Sequence, residues 1–165
     1  MGKLTVELIP KTVFFSNVRT LLKQKYWDLV RKESYAKADY KCEICGDTGK
    51  NQGYNHNVEC HEIWEYDDKK RLQKLTGLIS LCPNCHQVKH FGRTSAIGKQ
   101  AQAFKHMEKV NNWSHKQCVK HVAEAFEEWN ERSKYKWHLD LSYLSDNYKI
   151  PAKMLTEAQN KRKKQ

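Results

Sequence analysis

The sequence has little proline, little glycine and no long apolar run: three prolines and seven glycines stand among its 165 residues. With 39% hydrophobic and 30% charged residues, the composition excludes collagen-like, low-complexity and mostly disordered chains. The longest largely apolar runs are only a few residues, such as LISL at 78–81. That is far short of the roughly 20 residues that span a bilayer, so no membrane partner is expected. The N-terminal MGKLTVELIP lacks the apolar stretch of a secretory signal, which leads to the expectation of a cytoplasmic protein. No internal repeat is evident, and no Pro- or Ser-rich linker divides the chain. Its length suits one compact domain, or one domain plus a helical appendage.

What is abundant is positive charge. Thirty basic against nineteen acidic residues give a net charge of +11, which points first to nucleic acid or another anionic surface as partner. Residues 41–90 are balanced at seven of each sign, so the basic excess flanks a neutral middle.

Six cysteines without a secretory signal read as thiols or metal ligands rather than disulfides. Cys42 and Cys45 form one C-x-x-C and Cys82 and Cys85 a second, separated by 36 residues. Two such knuckles complete a tetrahedral four-cysteine zinc site, and Gly46 relaxes the first turn. A redox motif would explain one pair and not both. Zinc binding by such sites contributes about 10 to 16 kcal/mol apparent at neutral pH, so the fold is expected to depend on the ion. Cys60 and Cys118 have no partner pair and read as buried small apolar residues.

The apolar period of Val18, Leu21, Leu22, Leu29 and Val30 predicts a helix over 16–37. DTGKNQGYN reads as a loop, and VECHEIW and LTGLISL as strands. CPNCHQVKH reads as a helix with Pro83 in its first turn and no breaker before Gly92. Ala101, Phe104, Met107 and Val110 mark a further helix. Ser114 and Gln117 form a capping box for another, running through Val119, Val122, Phe126 and Trp129. KWHLDLSYL alternates Trp137, Leu139 and Leu141 as an edge strand would. Trp64 and Tyr66 are expected to pack beside the zinc, with Asp67 and Asp68 in a turn. The fifteen last residues, ending KRKKQ, are expected to be disordered.

The constellation that carries chemistry is His61, Glu62, His86 and His90. His86 and His90 are four apart on a predicted helix, the spacing at which two imidazoles grip one divalent cation, and His61 on the strand can supply a third. Three imidazoles with positions left open describe a catalytic rather than a closed site.

At this point the residues resemble the HNH, or ββα-metal, endonuclease family. Val58, Cys60, His61, Glu62 and Ile63 are similar to its first-strand pattern, and LCPNCHQVKH to its C-x-x-C-H helix. The resemblance covers about residues 41–92. It implies an α+β fold: a ββα-metal core with a four-cysteine zinc site, flanked by an N-terminal helix and a C-terminal helical region. With the periodicities read above, the chain divides into a basic helical segment at 1–40, the core at 41–92, a helical extension of the same domain at 93–150 and a basic tail at 151–165. It also implies a catalytic ion (Mg, Mn, Ni or Zn) held by His61, His86 and His90, beside the structural zinc. Glu62 falls in the general-base slot, where the family usually has His. An alternative register makes His61 the base and puts Cys60 on the metal side. Gly77 stands where the family has an Asn that braces the base-bearing strand.

The expected function is therefore metal-dependent hydrolysis of a DNA phosphodiester, with Lys89 and Arg93 touching the flanking phosphates. Two other readings compete with it. One is a zinc-built DNA-binding module whose catalytic site has decayed; the other is an adaptor, which would require an exposed apolar stripe on the helix at 117–131.

Overall fold

The computed structural model describes residues 3–14 and 17–163, with side chains up to Asn160. Ser16, the first residue of the expected N-terminal helix, and the side chains of the KRKKQ end lie outside the described residues. The fold is α+β: among the described residues, a three-stranded sheet and eight α-helices.

An extended N-terminal segment leads through a 3-10 turn at Lys11–Val13 to α1 (Val18–Leu21) and α2 (Gln24–Lys37). The single helix expected over 16–37 breaks at Leu22 and Lys23, both in extended backbone. Leu21 and Leu22 are both buried. The extended backbone at Leu22 and Lys23 turns the chain between α1 and α2. Asn17 starts α1 by accepting the Thr20 amide at 2.8 Å, a helix N-cap. Leu29, expected on the apolar face, is 47% exposed, while α2 buries Trp27, Val30 and Ser34.

The strands β1 (Glu59–Asp67) and β2 (Leu72–Leu81) form an antiparallel hairpin, and the short β3 (His138–Asp140) pairs with β2 in parallel. Asp67 closes the hairpin turn by accepting the Lys69 and Lys70 amides at 3.1 and 2.9 Å. Pairing runs from Glu59 opposite Leu81 to Ile63 opposite Gly77, then resumes with Trp64 opposite Leu75. Thr76 is therefore the extra residue of a β-bulge. The bulge resets the phase of β2, which lets Leu78 and Leu75 both reach the same core.

The hairpin separates two cores. Toward one face lie Ile79 and Leu81, packed with Leu4, Val6, Val88, Phe91, Met107, Cys118 and Val122. These come from the N-terminal segment, α3 (Pro83–Lys89), α4 (Phe91–Ala96), α5 (Gln100–Asn111) and α6 (His115–Arg132). The expected capping box of Ser114 and Gln117 starts α6. Toward the other face, Cys60, Trp64, Leu75 and Leu78 pack with α1, α2, α7 (Ser142–Tyr148) and α8 (Ala152–Lys163). Trp64 thus belongs to the second core and does not pack beside the cysteines as expected.

The tail also departs from expectation. Leu155 and Ala158 of α8 are 7% and 1% exposed in the second core, and Gln159 donates to the Leu139 carbonyl at 2.9 Å. A polar composition concealed a narrow apolar strip. The described part of the 1–40 segment contributes to both cores, Leu4 and Val6 entering one and Val18, Leu21, Leu22, Trp27 and Val30 the other.

Leu75 and Leu144 are fully buried in the second core, so Leu75→Ala and Leu144→Ala should each cost about 2 to 5 kcal/mol in urea unfolding. Leu29→Ala should stay within about 0.5 kcal/mol of wild type. Equal losses at all three positions would contradict the two-core packing.

Candidate metal centres

The first centre lies where the hairpin meets α3. Cys42 and Cys45 stand on a tight turn in which Gly46, at φ 74°, donates its amide to the Cys42 carbonyl at 2.8 Å. That left-handed conformation is the one glycine adopts without strain. Cys82 and Cys85 bracket the first turn of α3, with Pro83 at its start and the Cys82 sulfur accepting the Cys85 amide at 3.5 Å. The four sulfurs lie within 4.8 Å of one another, with Cys45 and Cys82 3.5 Å apart. Tetrahedral Zn–S bonds of about 2.3 Å place sulfurs about 3.8 Å apart, so the cluster fits a structural zinc. Hydrogen bonds shared among the four sulfurs lower the Cys42 and Cys82 thiols and raise those of Cys45 and Cys85.

The second centre is a histidine cluster on the adjoining stretch of hairpin and helix. His61 projects from β1 and His86 from α3, while His90 follows the last residue of α3. Ring centroids are 5.4 Å apart for His61 and His86, 4.9 Å for His61 and His90, and 4.5 Å for His86 and His90. One nitrogen from each lies within 4.8 Å of the other two. Burial, then the charges of His86 and His61, pushes His90 down to about 3, and burial lowers His61 despite Glu7. Both rings are therefore held neutral, the form that ligates metal.

The helix carrying His86 and His90 is interrupted where continuity was expected. His90 leaves helical geometry, at φ −93° and ψ 44°, and joins α3 to α4. Two carbonyls there have other partners. Gln87 O accepts from the Thr94 hydroxyl at 2.7 Å, and Lys89 O from the Glu7 amide at 3.0 Å. The N-terminal segment thus competes for the helix's own hydrogen bonds.

Two carboxylates contact this cluster. Glu7 reaches His61 Nε2 at 2.9 Å and accepts from Lys89 Nζ at 2.5 Å. Burial opposes its ionisation, but these hydrogen bonds prevail and hold its carboxyl at about 2. Glu59 pairs with His86 Nδ1 and with His56 Nε2, the latter at 3.0 Å. Neither Glu7, 54 residues from His61, nor Glu59 was singled out from the sequence. His106 was also missed: its Nε2 lies 3.1 Å from the Cys85 sulfur. Only tertiary packing of α5 on α3 brings it there.

Several sequence-derived roles change. Glu62 follows His61 on β1 and so turns to the other face. Its Oε1 accepts from the Val18 amide at 2.5 Å and its Oε2 from Trp64 Nε1 at 3.2 Å. Burial raises its carboxyl to about 7 against these two bonds. Glu62 borders the same cavity of about 210 Å³ as His61 and His90, yet both oxygens are engaged with α1 and Trp64. It is not placed as a general base facing the histidines. The alternative register fares no better, since Cys60 packs toward the second core and burial pushes its thiol up to about 12.

Lys89 is 6% exposed, tied to Glu7 and to the Thr5 hydroxyl at 3.1 Å. A lysine so buried and paired is not free to meet a phosphate. Arg93 is exposed on α4 and close enough for its charge to depress His90. Gly77 sits close against Ile63: an added Cβ would come within 3.2 Å of Ile63 Cδ1, a tight contact that the end of that side chain would have to relieve by shifting. The two strands are instead tied there by the Thr76 hydroxyl, which donates to the Ile63 carbonyl at 3.3 Å.

Comparison of the chain with protein-family models, with curated proteins and with solved structures finds no match. No helix of the described residues is long and apolar enough to cross a membrane.

The thiol cluster generates a direct expectation. Stripping zinc with a chelator, or the substitution Cys82→Ser, should abolish near-UV circular dichroism and cooperative unfolding. Near-UV signal unchanged after complete zinc removal would refute a structural role for the ion.

Proposed function

We propose that this chain is a metal-dependent DNA endonuclease of the HNH type. The observation that carries the reading is the convergence of His61, His86 and His90 within 4.8 Å from β1 and from α3 with its junction, beside a four-cysteine cluster that could hold zinc. The consecutive order β1, β2, α3 is the order that the resemblance implies for a ββα-metal core. A divalent ion held by the three imidazoles would supply Lewis acidity to a phosphodiester oxygen.

The remaining parts follow from the chain's own groups. His61, buried, and His90, half-buried, are held neutral and offer lone pairs rather than charge. Arg93, exposed on α4 and near enough to His90 for its charge to depress that ring, carries a guanidinium that can neutralise a phosphate flanking the scissile bond. The net charge of +11 favours encounter with DNA through release of its counterions. Glu62 anchors α1 to the hairpin in this scheme. Lys89 orients Glu7, and neither it nor Glu62 handles substrate.

The commitment of Glu62 to Val18 and Trp64 favours one second reading, a zinc-built DNA-binding module that does not cut. The adaptor reading has less support, since Val119 is the one exposed large hydrophobic of α6 among the described residues.

Nicking of supercoiled plasmid by zinc-retaining protein, with added Mg, Mn, Ni or Co, decides between these. The nuclease reading expects cleavage that His86→Ala lowers at least about a hundredfold and Arg93→Ala weakens mainly through DNA affinity. Binding to DNA without cleavage under any metal would make the non-cutting module the correct account.

A further inference from the structure

We infer that Glu7 and Glu59 are positioning residues of the histidine centre: they fix the ring orientation of two histidines, so that His61 meets an ion through Nδ1 and His86 through Nε2. The inference rests on the reading of His61, His86 and His90 as ligands of one ion.

The argument begins with the two nitrogens of each imidazole. A neutral ring carries one proton, so the nitrogen that donates a hydrogen bond leaves the other as the lone pair. His61 Nε2 lies 2.9 Å from Glu7 Oε2. A carboxylate only accepts, which places the His61 proton on Nε2 and leaves Nδ1 bare. His86 is tied the opposite way, with Nδ1 on Glu59 Oε2, so a ring that binds an ion keeps its one proton on Nδ1 and offers Nε2. No hydrogen bond to the His90 ring is seen among the described residues. Two of the three ligands are thus set in opposite senses by carboxylates from different parts of the chain.

The two supports are themselves held. Glu59 is the first residue of β1, and its other oxygen meets His56 at 3.0 Å. Glu7 depends on the whole N-terminal segment. The Asn111 side chain clamps Leu4 from both sides, accepting its amide at 2.7 Å and donating to its carbonyl at 2.8 Å. His121 Nε2 accepts the Val6 amide at 2.9 Å, and Trp129 Nε1 donates to the Ile9 carbonyl at 2.9 Å. Between those anchors, Glu7 N bonds Lys89 O and Lys89 Nζ bonds Glu7 Oε1. The segment at residues 4–9 is therefore a wall of the centre, stapled to α3, α5 and α6. A free carboxylate on a loose arm would lose side-chain entropy on meeting His61; here packing has already fixed it.

Carboxylates that orient a metal-bound histidine typically contribute about ten- to hundredfold in metal affinity. Zinc ion alone, titrated into protein whose cysteine cluster is already loaded, tests this by calorimetry. Wild type should take up a second equivalent. Glu7→Gln, Glu7→Leu and Glu59→Gln should each bind it about ten- to hundredfold more weakly, with Glu7→Gln the milder of the Glu7 pair because its amide oxygen still accepts. Long-range proton–nitrogen-15 NMR of doubly loaded wild type reads the tautomers directly. The result expected is a proton on His61 Nε2 and on His86 Nδ1. The same proton on His61 Nδ1, or unchanged affinity in both Glu7→Gln and Glu59→Gln, would overturn the inference while leaving the centre intact. Uptake of one equivalent only by wild type would overturn the centre itself, and the inference with it. Should Glu7→Leu fail to fold, the wild-type spectrum and the two glutamine variants still decide.

Discussion

The convergence of four thiols at the junction of hairpin and α3 is the constraint on which the other arrangements depend. Cys42 and Cys45 lie ahead of β1, and Cys82 and Cys85 open α3 directly after β2. Joining the pairs fixes the start of α3 against the base of the hairpin. His86 follows Cys85 by one residue, so its direction is inherited from the same turn of helix. A hairpin and a seven-residue helix could not hold this geometry alone, because so short a helix is marginal without tertiary support.

Around that junction the molecule solves a problem of buried charge. Lys89 and the neutral His61 are both 6% exposed; an unpaired ammonium at that depth costs several kcal/mol, and an imidazole N–H left without an acceptor there costs a smaller amount. Glu7 resolves both by accepting from each, and Thr5 takes a further Lys89 proton. The arrangement explains why an extended N-terminal segment follows α6 so closely, and why α3 stops at Lys89. The helix gives up carbonyls to the segment and to Thr94, and this break directs His90 toward the cluster.

The sheet has a related role. Residues alternate faces along β1, so His61 and Glu62 leave the strand on opposite sides although both border one cavity. One turns to the histidine cluster; the other ties α1 through the Val18 amide. The bulge at Thr76 lets β2 supply Ile79 and Leu81 to one core and Leu75 and Leu78 to the other.

Much of this was legible in the residues themselves. The paired C-x-x-C spacing, Pro83 at a helix start, the Ser114 and Gln117 capping box and the hairpin all rest on local geometry, which a sequence encodes within a few positions. The grouping of His61 with His86 and His90 was legible because two of the three are four residues apart. The carboxylates were not: Glu7 and His61 are separated by 54 residues, and no local pattern signals such a meeting. Lys89 and Glu62 were misread for the same reason, since a charged side chain looks solvated until its neighbours are known. The buried strip of α8 escaped notice because Leu155 and Ala158 stand in a polar segment. The sequence by itself determined the ligand types and their spacing, because sulfur and imidazole geometry is set within single turns. Tertiary structure alone decided which charges are spent on packing and which remain beside the cluster, because that depends on contacts between distant segments.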